Sequence, residues 1–108
     1  MTVNDLLKSE KFSAVSLPDG SREVRNVYIG DLLSWVMGRA KADDAWITIM
    51  SNVNILAVAS LADTACIILA EGVTVDDSIK ATADEKEINI LTSEMNIYET
   101  AIYLNGLL

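Results

Sequence analysis

Between Ala45 and Ala70 the chain carries one charged side chain, Asp63. A stretch of that length and polarity can be a membrane span, which needs about 20 predominantly apolar residues, or the interior of a soluble domain. Ser51, Asn52, Asn54, Ser60 and Thr64 interrupt it, and its pattern changes twice. Ala45 to Met50 reads as a buried strand by composition. Val53 to Ala62 reads as a helix. Ala65 to Ala70 is apolar throughout, as a central strand of a parallel sheet must be when both its faces are covered. The stretch therefore predicts strand, helix, strand inside a soluble core.

The flanking sequence continues the alternation. Thr2 to Leu7 predicts a short helix with Thr2 as its cap and Asp5 in the first turn, where the helix dipole favours an anion. Phe12 to Leu17 predicts a strand, and Pro18-Asp19-Gly20 a turn, because Pro presets φ and Gly tolerates a positive φ. Val24 to Ile29 is a second strand. Gly30-Asp31 breaks it and caps a helix to Ala40 that places Leu33, Val36, Met37 and Ala40 on one face. Asn52 is the expected cap of the Val53–Ala62 helix. Asp76 caps a solvated helix to about Lys86, with Ile79 and Ala83 inward. Ile88 to Leu91 is the next strand, and Ser93 the expected cap of a last helix from Glu94 to about Asn105. From Val24 onward the order is β-α-β-α-β-α-β-α. This implies an α/β fold: a mostly parallel sheet of βα units with right-handed crossovers and flanking helices, preceded by a short N-terminal helix and strand. No linker divides it, so residues 1–108 form one domain.

Composition narrows the chemistry. The chain has no His and one Cys, Cys66. A Ser-His-Asp or Cys-His nucleophile is therefore impossible, as are a His-based zinc site and an intrachain disulfide. Cys66 lies in the apolar run and reads as a small buried hydrophobe. Eight basic and 16 acidic residues give a net charge of −8. Residues 1–44 are close to neutral, while residues 45–108 hold nine acids and only Lys80 and Lys86 as bases. Nucleic-acid binding needs a basic surface, and an anionic membrane repels an acidic one, so neither is an expected partner. No basic region followed by an apolar run marks a secretory signal, which makes the cytoplasm the expected compartment. The acid pairs Asp43-Asp44, Asp76-Asp77 and Asp84-Glu85 read as solvated surface.

In open α/β sheets ligands bind beyond the carboxyl ends of the strands. Each such end here precedes a helix N-terminus, whose free N–H groups suit an anion. Asn52, Gly72 and Ser93 are the candidate contacts for a small anionic ligand such as an adenine nucleotide. No phosphate-cradling G-x-x-x-x-G-K-[ST] or G-x-G-x-x-G loop accompanies them. Ordinary capping accounts for the same residues, and no cofactor or metal is called for. The one enzymatic route the acids allow is a metal shared by Asp31 and Glu71 at the strand ends.

Excess apolar surface is the stronger signal. The Val53–Ala62 helix has no charged face, whereas a helix packed on one side of a sheet shows a polar outer surface. Leu32 and Trp35 add an apolar face on the preceding helix, and Trp is enriched at interface hot spots. Leu32, Trp35, Ile55 and Ala59 are the expected contacts of a homodimer or another protein partner. A neighbouring helix of the same chain covering both is the alternative.

Val27-Tyr28-Ile29-Gly30-Asp31-Leu32-Leu33-Ser34-Trp35-Val36-Met37-Gly38-Arg39-Ala40, followed by Asp44-Ala45-Trp46-Ile47-Thr48-Ile49, resembles the stand-alone DRTGG-domain proteins of anaerobic bacteria. The likeness continues through Ala65-Cys66-Ile67-Ile68-Leu69-Ala70-Glu71-Gly72, Ile90-Leu91-Thr92-Ser93 and Tyr98-Glu99-Thr100-Ala101. The family is similar to the N-terminal domain of HPr kinase/phosphorylase and to modules attached to phosphotransacetylases and CBS-domain pyrophosphatases. Of the family's naming motif, the Asp-Arg pair falls near Ser51-Asn52 and the Thr-Gly-Gly near Ala70-Glu71-Gly72, with only Gly72 retained. The resemblance implies an α/β fold and a non-catalytic regulatory or scaffolding module that tends to dimerise. It also implies an accessory role toward redox enzymes or sensor kinases, or a ligand-sensing role instead.

Overall fold

The computed structural model describes all 108 residues. Helices and strands alternate as α1 (Val3–Leu6), β1 (Ser13–Ser16), β2 (Asn26–Ile29), α2 (Leu33–Arg39), β3 (Asp44–Thr48), α3 (Asn54–Ala62), β4 (Cys66–Leu69), α4 (Asp77–Glu85), β5 (Ile90–Thr92) and α5 (Ile97–Leu107). One sheet holds every strand, in the order β1-β5-β4-β3-β2. β2 to β5 run parallel and β1 antiparallel against β5, so the α/β class and its short N-terminal helix and strand are as expected. The uncharged run supplies β3, α3 and β4, with β4 at the centre of the sheet.

Strand register sorts the core into two layers. Tyr28, Trp46, Ile67 and Ile90 stand in one row across the sheet. Trp46, Ile67 and Ile90 are fully buried against Val36 of α2, Ile55, Leu56, Val58 and Ala59 of α3, and Ile79 and Ala83 of α4. One residue further along each strand, Ile29, Ile47, Ile68 and Leu91 form the row on the opposite face. There Ile47, Ile68 and Leu91 pack with Val3 and Leu6 of α1, Phe12, Cys66 and Leu104 of α5. Neighbouring strands follow each other in space as in sequence, so crossovers of one hand leave three helices on one face. The other face has only α1 and α5.

That arrangement corrects the reading of α3. Ile55 and Ala59 are buried by their own chain, because α3 lies on the sheet with α2 packed against it. Its outward residues are Asn54, Ala57, Ser60 and Leu61. The intrachain alternative accounts for the apolar helix, and neither Ile55 nor Ala59 is available to a second molecule.

Several helix starts also differ. Thr2 caps α1 as expected, in a reciprocal box with Asp5. Hydrogen bonding from the Thr2 backbone, then from Lys8, lowers the Asp5 carboxyl to about 2. Asp76 caps α4, and the Ser78 hydroxyl and Ile79 N–H hold its carboxyl below the usual range. Ser93 does not cap α5. That helix begins at Ile97 with Asn96 as cap, boxed with Glu99. Asp31 does not cap α2, whose first turn has no side-chain cap.

Candidate functional site

The carboxyl ends of the parallel strands are crosslinked by their own polar groups. Asp31, after β2, accepts a hydrogen bond from Thr48 Oγ1 at 2.7 Å and from the Ile49 N–H at 3.1 Å. The Trp46 indole N–H donates to the Gly30 carbonyl at 2.9 Å. Asp31 therefore braces the end of β3, which accounts for its absence from the α2 cap.

After β4, Glu71 and Gly72 take consecutive left-handed conformations, with φ of 62° and 70°. This double twist is a positional demand that Gly72 meets without a Cβ penalty. It turns the Glu71 N–H onto the Met95 carbonyl at 2.8 Å and the Gly72 N–H onto the Ser93 carbonyl at 2.9 Å. The Glu71 carboxylate reaches the Ile97 N–H at the start of α5, at 3.2 Å. A Cβ on Gly72 would lie 2.8 Å from Glu94 Oε2.

The structure thus brings Gly72 and Ser93 together and surrounds them with Glu71 and Glu94. Ser93 is buried, and its hydroxyl accepts the Met95 N–H at 3.2 Å. Asn52 does not cap α3: Val53 holds the cap position without a side-chain bond, and the Asn52 side-chain carbonyl instead accepts the Asn54 N–H two residues on, at 2.9 Å. No hydrogen bond joins Asn52 to Gly72 or Ser93. The backbone donors expected to face a ligand at Gly72 are used internally, and a carboxylate of the chain occupies the N-terminus of α5. No three His, Cys, Asp or Glu side chains converge as metal ligands.

At the other end of the sheet lies a network that local sequence does not reveal. Arg22, in the loop before β2, bonds Asp43 at 2.9 Å and the Asp63 carboxylate at 3.0 Å, and donates to the Asp63 carbonyl at 2.7 Å. Burial works against its charge, but the Asp43 and Asp63 hydrogen bonds outweigh it and raise the guanidinium above its ordinary value. Asp44 is buried and accepts the Lys41 N–H at 2.8 Å, and half-buried Asp43 pairs with Arg22, so this acid pair is structural. Buried Asn89 bonds the Asp19 N–H, the Asp19 carbonyl and the Ala65 carbonyl. Beside it a polar cavity of about 190 Å³ carries both signs of charge, with Asp19, Asp63, Glu87, Arg22 and Lys86.

Among the apolar side chains exposed outside the core, two groups stand out. On α2, Leu32 and Trp35 are 58% and 53% exposed, and the Arg39 guanidinium lies 3.8 Å above the Trp35 ring. The second surface escaped the sequence reading: a groove of about 420 Å³ between β2 and α5, bordered by Val27, Ile29, Tyr98, Ala101, Ile102 and Leu108.

The model of the family described as the DRTGG domain matches residues 14–107. The chain belongs to the DRTGG domain family. The chain matches none of the curated proteins. Among solved structures, this DRTGG domain is similar to the CBS and DRTGG domains of the regulatory region of Clostridium perfringens pyrophosphatase, complexed with its activator diadenosine tetraphosphate. The TM-score is 0.71 at 16% identity, over 95% of this chain and 45% of that one. The chain therefore spans less than half of that regulatory region, and the likeness establishes a shared fold. No helix of the DRTGG domain is long and apolar enough to cross a membrane.

Proposed function

We propose that this DRTGG domain is a non-catalytic regulatory or scaffolding module that acts by self-association and by contact with another protein. The observation that carries this reading is large apolar side chains left in solvent on ordered elements, Leu32 and Trp35 on α2 and the β2–α5 groove. Contiguous apolar patches on a small acidic domain mark interaction sites. The pyrophosphatase region with the same fold is itself described as regulatory. The chemistry of the chain fits as well. It has no His, and burial pushes its one thiol, Cys66, up to about 12, so the chain offers no activated Cys-His nucleophile. Sedimentation equilibrium over a micromolar concentration series is the test. The expected mass is twice the 11.7 kDa of one chain, and a monomer at every concentration refutes self-association.

A second reading is favoured by one observation: the related regulatory region was solved with a bound dinucleotide activator. In that reading the domain senses an adenine nucleotide or another anion near Asn52, Gly72 and Ser93. Glu71 and Glu94 oppose an anion beside Gly72, which ranks this reading second. A thermal-shift panel of nucleotides separates the two. A ligand at 100 times its Kd adds about 2.7 kcal/mol of stability, and a flat panel removes the idea.

A further inference from the structure

We propose that the polar cavity at the amino end of the sheet binds a free α-amino acid. Glu87 and the Thr64 hydroxyl take its ammonium, and Lys86 and Arg22 take its carboxylate. The site lies at the opposite end of the sheet from Asn52, Gly72 and Ser93, and it needs neither of the readings above.

The cavity is a notch between two crossovers. α3 ends at Ala62 and α4 at Glu85, and the residues that follow each helix form its walls, with Asp19 and Arg22 from the loop between β1 and β2. Just past each helix stands an acid in left-handed backbone, Asp63 with φ of 59° and Glu87 with φ of 61°. A carboxylate there meets the negative end of the helix dipole, and neither helix has a base in its last turn. At α3 the Arg22 guanidinium neutralises Asp63 at 3.0 Å. At α4 Glu87 is exposed to the cavity and enters no ion pair. One helix end has its cation, and the other lacks one.

A second observation is independent of charge. Thr64 is nine-tenths buried in the wall of the same cavity. Its hydroxyl is the one buried side-chain polar atom of the chain without a hydrogen-bond partner. Buried polar groups are nearly always partnered, so this hydroxyl points to a group that the chain does not supply.

An ammonium donates three hydrogen bonds and suits both the Glu87 carboxylate and the Thr64 hydroxyl. The cavity also holds unspent donors. Arg22 commits Nε and Nη2 to Asp43 and Asp63, which leaves Nη1 for a ligand carboxylate, and Lys86 forms no salt bridge. An anion alone is disfavoured, because Asp19, Asp63 and Glu87 outnumber Arg22 and Lys86. A metal ion is disfavoured too, since no three acids converge. A molecule with an ammonium at one end and a carboxylate at the other uses both sets of groups. At about 30 Å³ per water, the cavity of about 190 Å³ has room for about six heavy atoms, the size of a small amino acid.

Amide NMR titration of the full chain with L-alanine, L-lysine and L-glutamate tests the site. Saturable shifts are expected at Thr64, Glu87 and Asn89, with lysine the tightest and glutamate the weakest, following the excess of acids. Ethylamine and acetate each carry one of the two groups, so each should bind at least about tenfold more weakly than alanine. Thr64→Val keeps the side-chain shape and removes the hydroxyl, and Glu87→Gln removes the charge. Each should raise the alanine Kd by about five- to tenfold while the urea midpoint holds. Should Thr64→Val fail to fold, Glu87→Gln and Lys86→Met give the same reading. Glu85→Gln, on α4 outside the cavity lining, should bind like wild type. Absence of saturable shifts with all three amino acids overturns the site, as do shifts centred on Gly72 and Ser93. Acetate or ethylamine binding as tightly as alanine overturns the two-ended recognition, and so does an alanine Kd unchanged in the cavity variants.

Discussion

Replacing Ile55 by Ala separates a core helix from an interface helix in one experiment. Ile55 is fully buried among Trp46, Ile67 and the α2 side chains. The substitution removes three carbon groups, about 2.4 kcal/mol of transfer free energy at about 0.8 kcal/mol each. The sheet beneath and α2 beside it limit collapse of the hole, so the cavity raises the cost to about 3–4 kcal/mol. A domain of this size has about 5–15 kcal/mol in all. With a urea m-value of about 1.5 kcal/mol/M, the midpoint falls by about 2 M. Leu61, on the same helix, is 71% exposed, and Leu61→Ala should stay within about 0.5 kcal/mol of wild type.

The assay is urea unfolding followed by circular dichroism at two protein concentrations tenfold apart. A core role predicts that the gap between wild type and Ile55→Ala persists on dilution, because it belongs to one chain. An interface role predicts a gap that closes as the protein dissociates, with a folded monomer left behind. Equal, small costs for Ile55→Ala and Leu61→Ala would refute the enclosed position of α3.

Three further outcomes follow from buried or paired polar groups. The Cys66 thiol, buried and pushed up to about 12, should resist iodoacetamide in native protein and react once unfolded in urea; rapid native labelling contradicts its place in β4. Asp5 has a folded carboxyl value of about 2 against 3.8 ordinarily, so its contribution is complete above the unfolded value and fades as pH drops from 3.8 toward about 2. Asp5→Asn should make the acid-side loss of urea stability shallower, and an acid limb identical to wild type shows that the α1 cap contributes nothing. Asn89→Ala strands the Asp19 N–H and the Asp19 and Ala65 carbonyls that its amide satisfies. It should cost about 3 kcal/mol in the same unfolding assay, while a loss under about 1 kcal/mol means water substitutes readily.

Strand and helix order was legible because parallel strands are apolar on both faces, and Ala65 to Ala70 has no other use for such composition. Thr2 and Asp76 were legible as caps because a capping oxygen acts on an N–H three residues away. Where the sequence reading failed, the deciding partner is distant in the chain. Asp31 has the composition of a cap, but Thr48 and Ile49 claim its carboxylate across two strand ends. Ser93 and Asn96 are both competent caps, and the Glu71 and Gly72 bonds to Met95 and Ser93 hold the chain extended until Asn96. The Arg22 and Asn89 networks join residues 20 to 70 positions apart, with no local signal at either end. Ile55 and Ala59 failed differently: an apolar circumference says that a helix is surrounded, and only the order of the strands says by what.

The same strand order explains why an apolar groove exists at all. Five strands at about 4.8 Å spacing make a sheet about 19 Å wide, and one helix with its side chains covers about 10–12 Å. On one face three consecutive crossover helices meet that width. On the other, α1 contributes four residues and α5 lies across β3. α1 is held near β1 and β2 by backbone bonds to Gly20, Arg22 and Val24 at one end of the sheet. Past α5, nothing in the chain reaches the carboxyl end of β2, where Ile29 closes the buried row in solvent. Sequential parallel order places the crossovers on one side, and a single helix is too narrow for the other. The exposed flank is thus a consequence of topology.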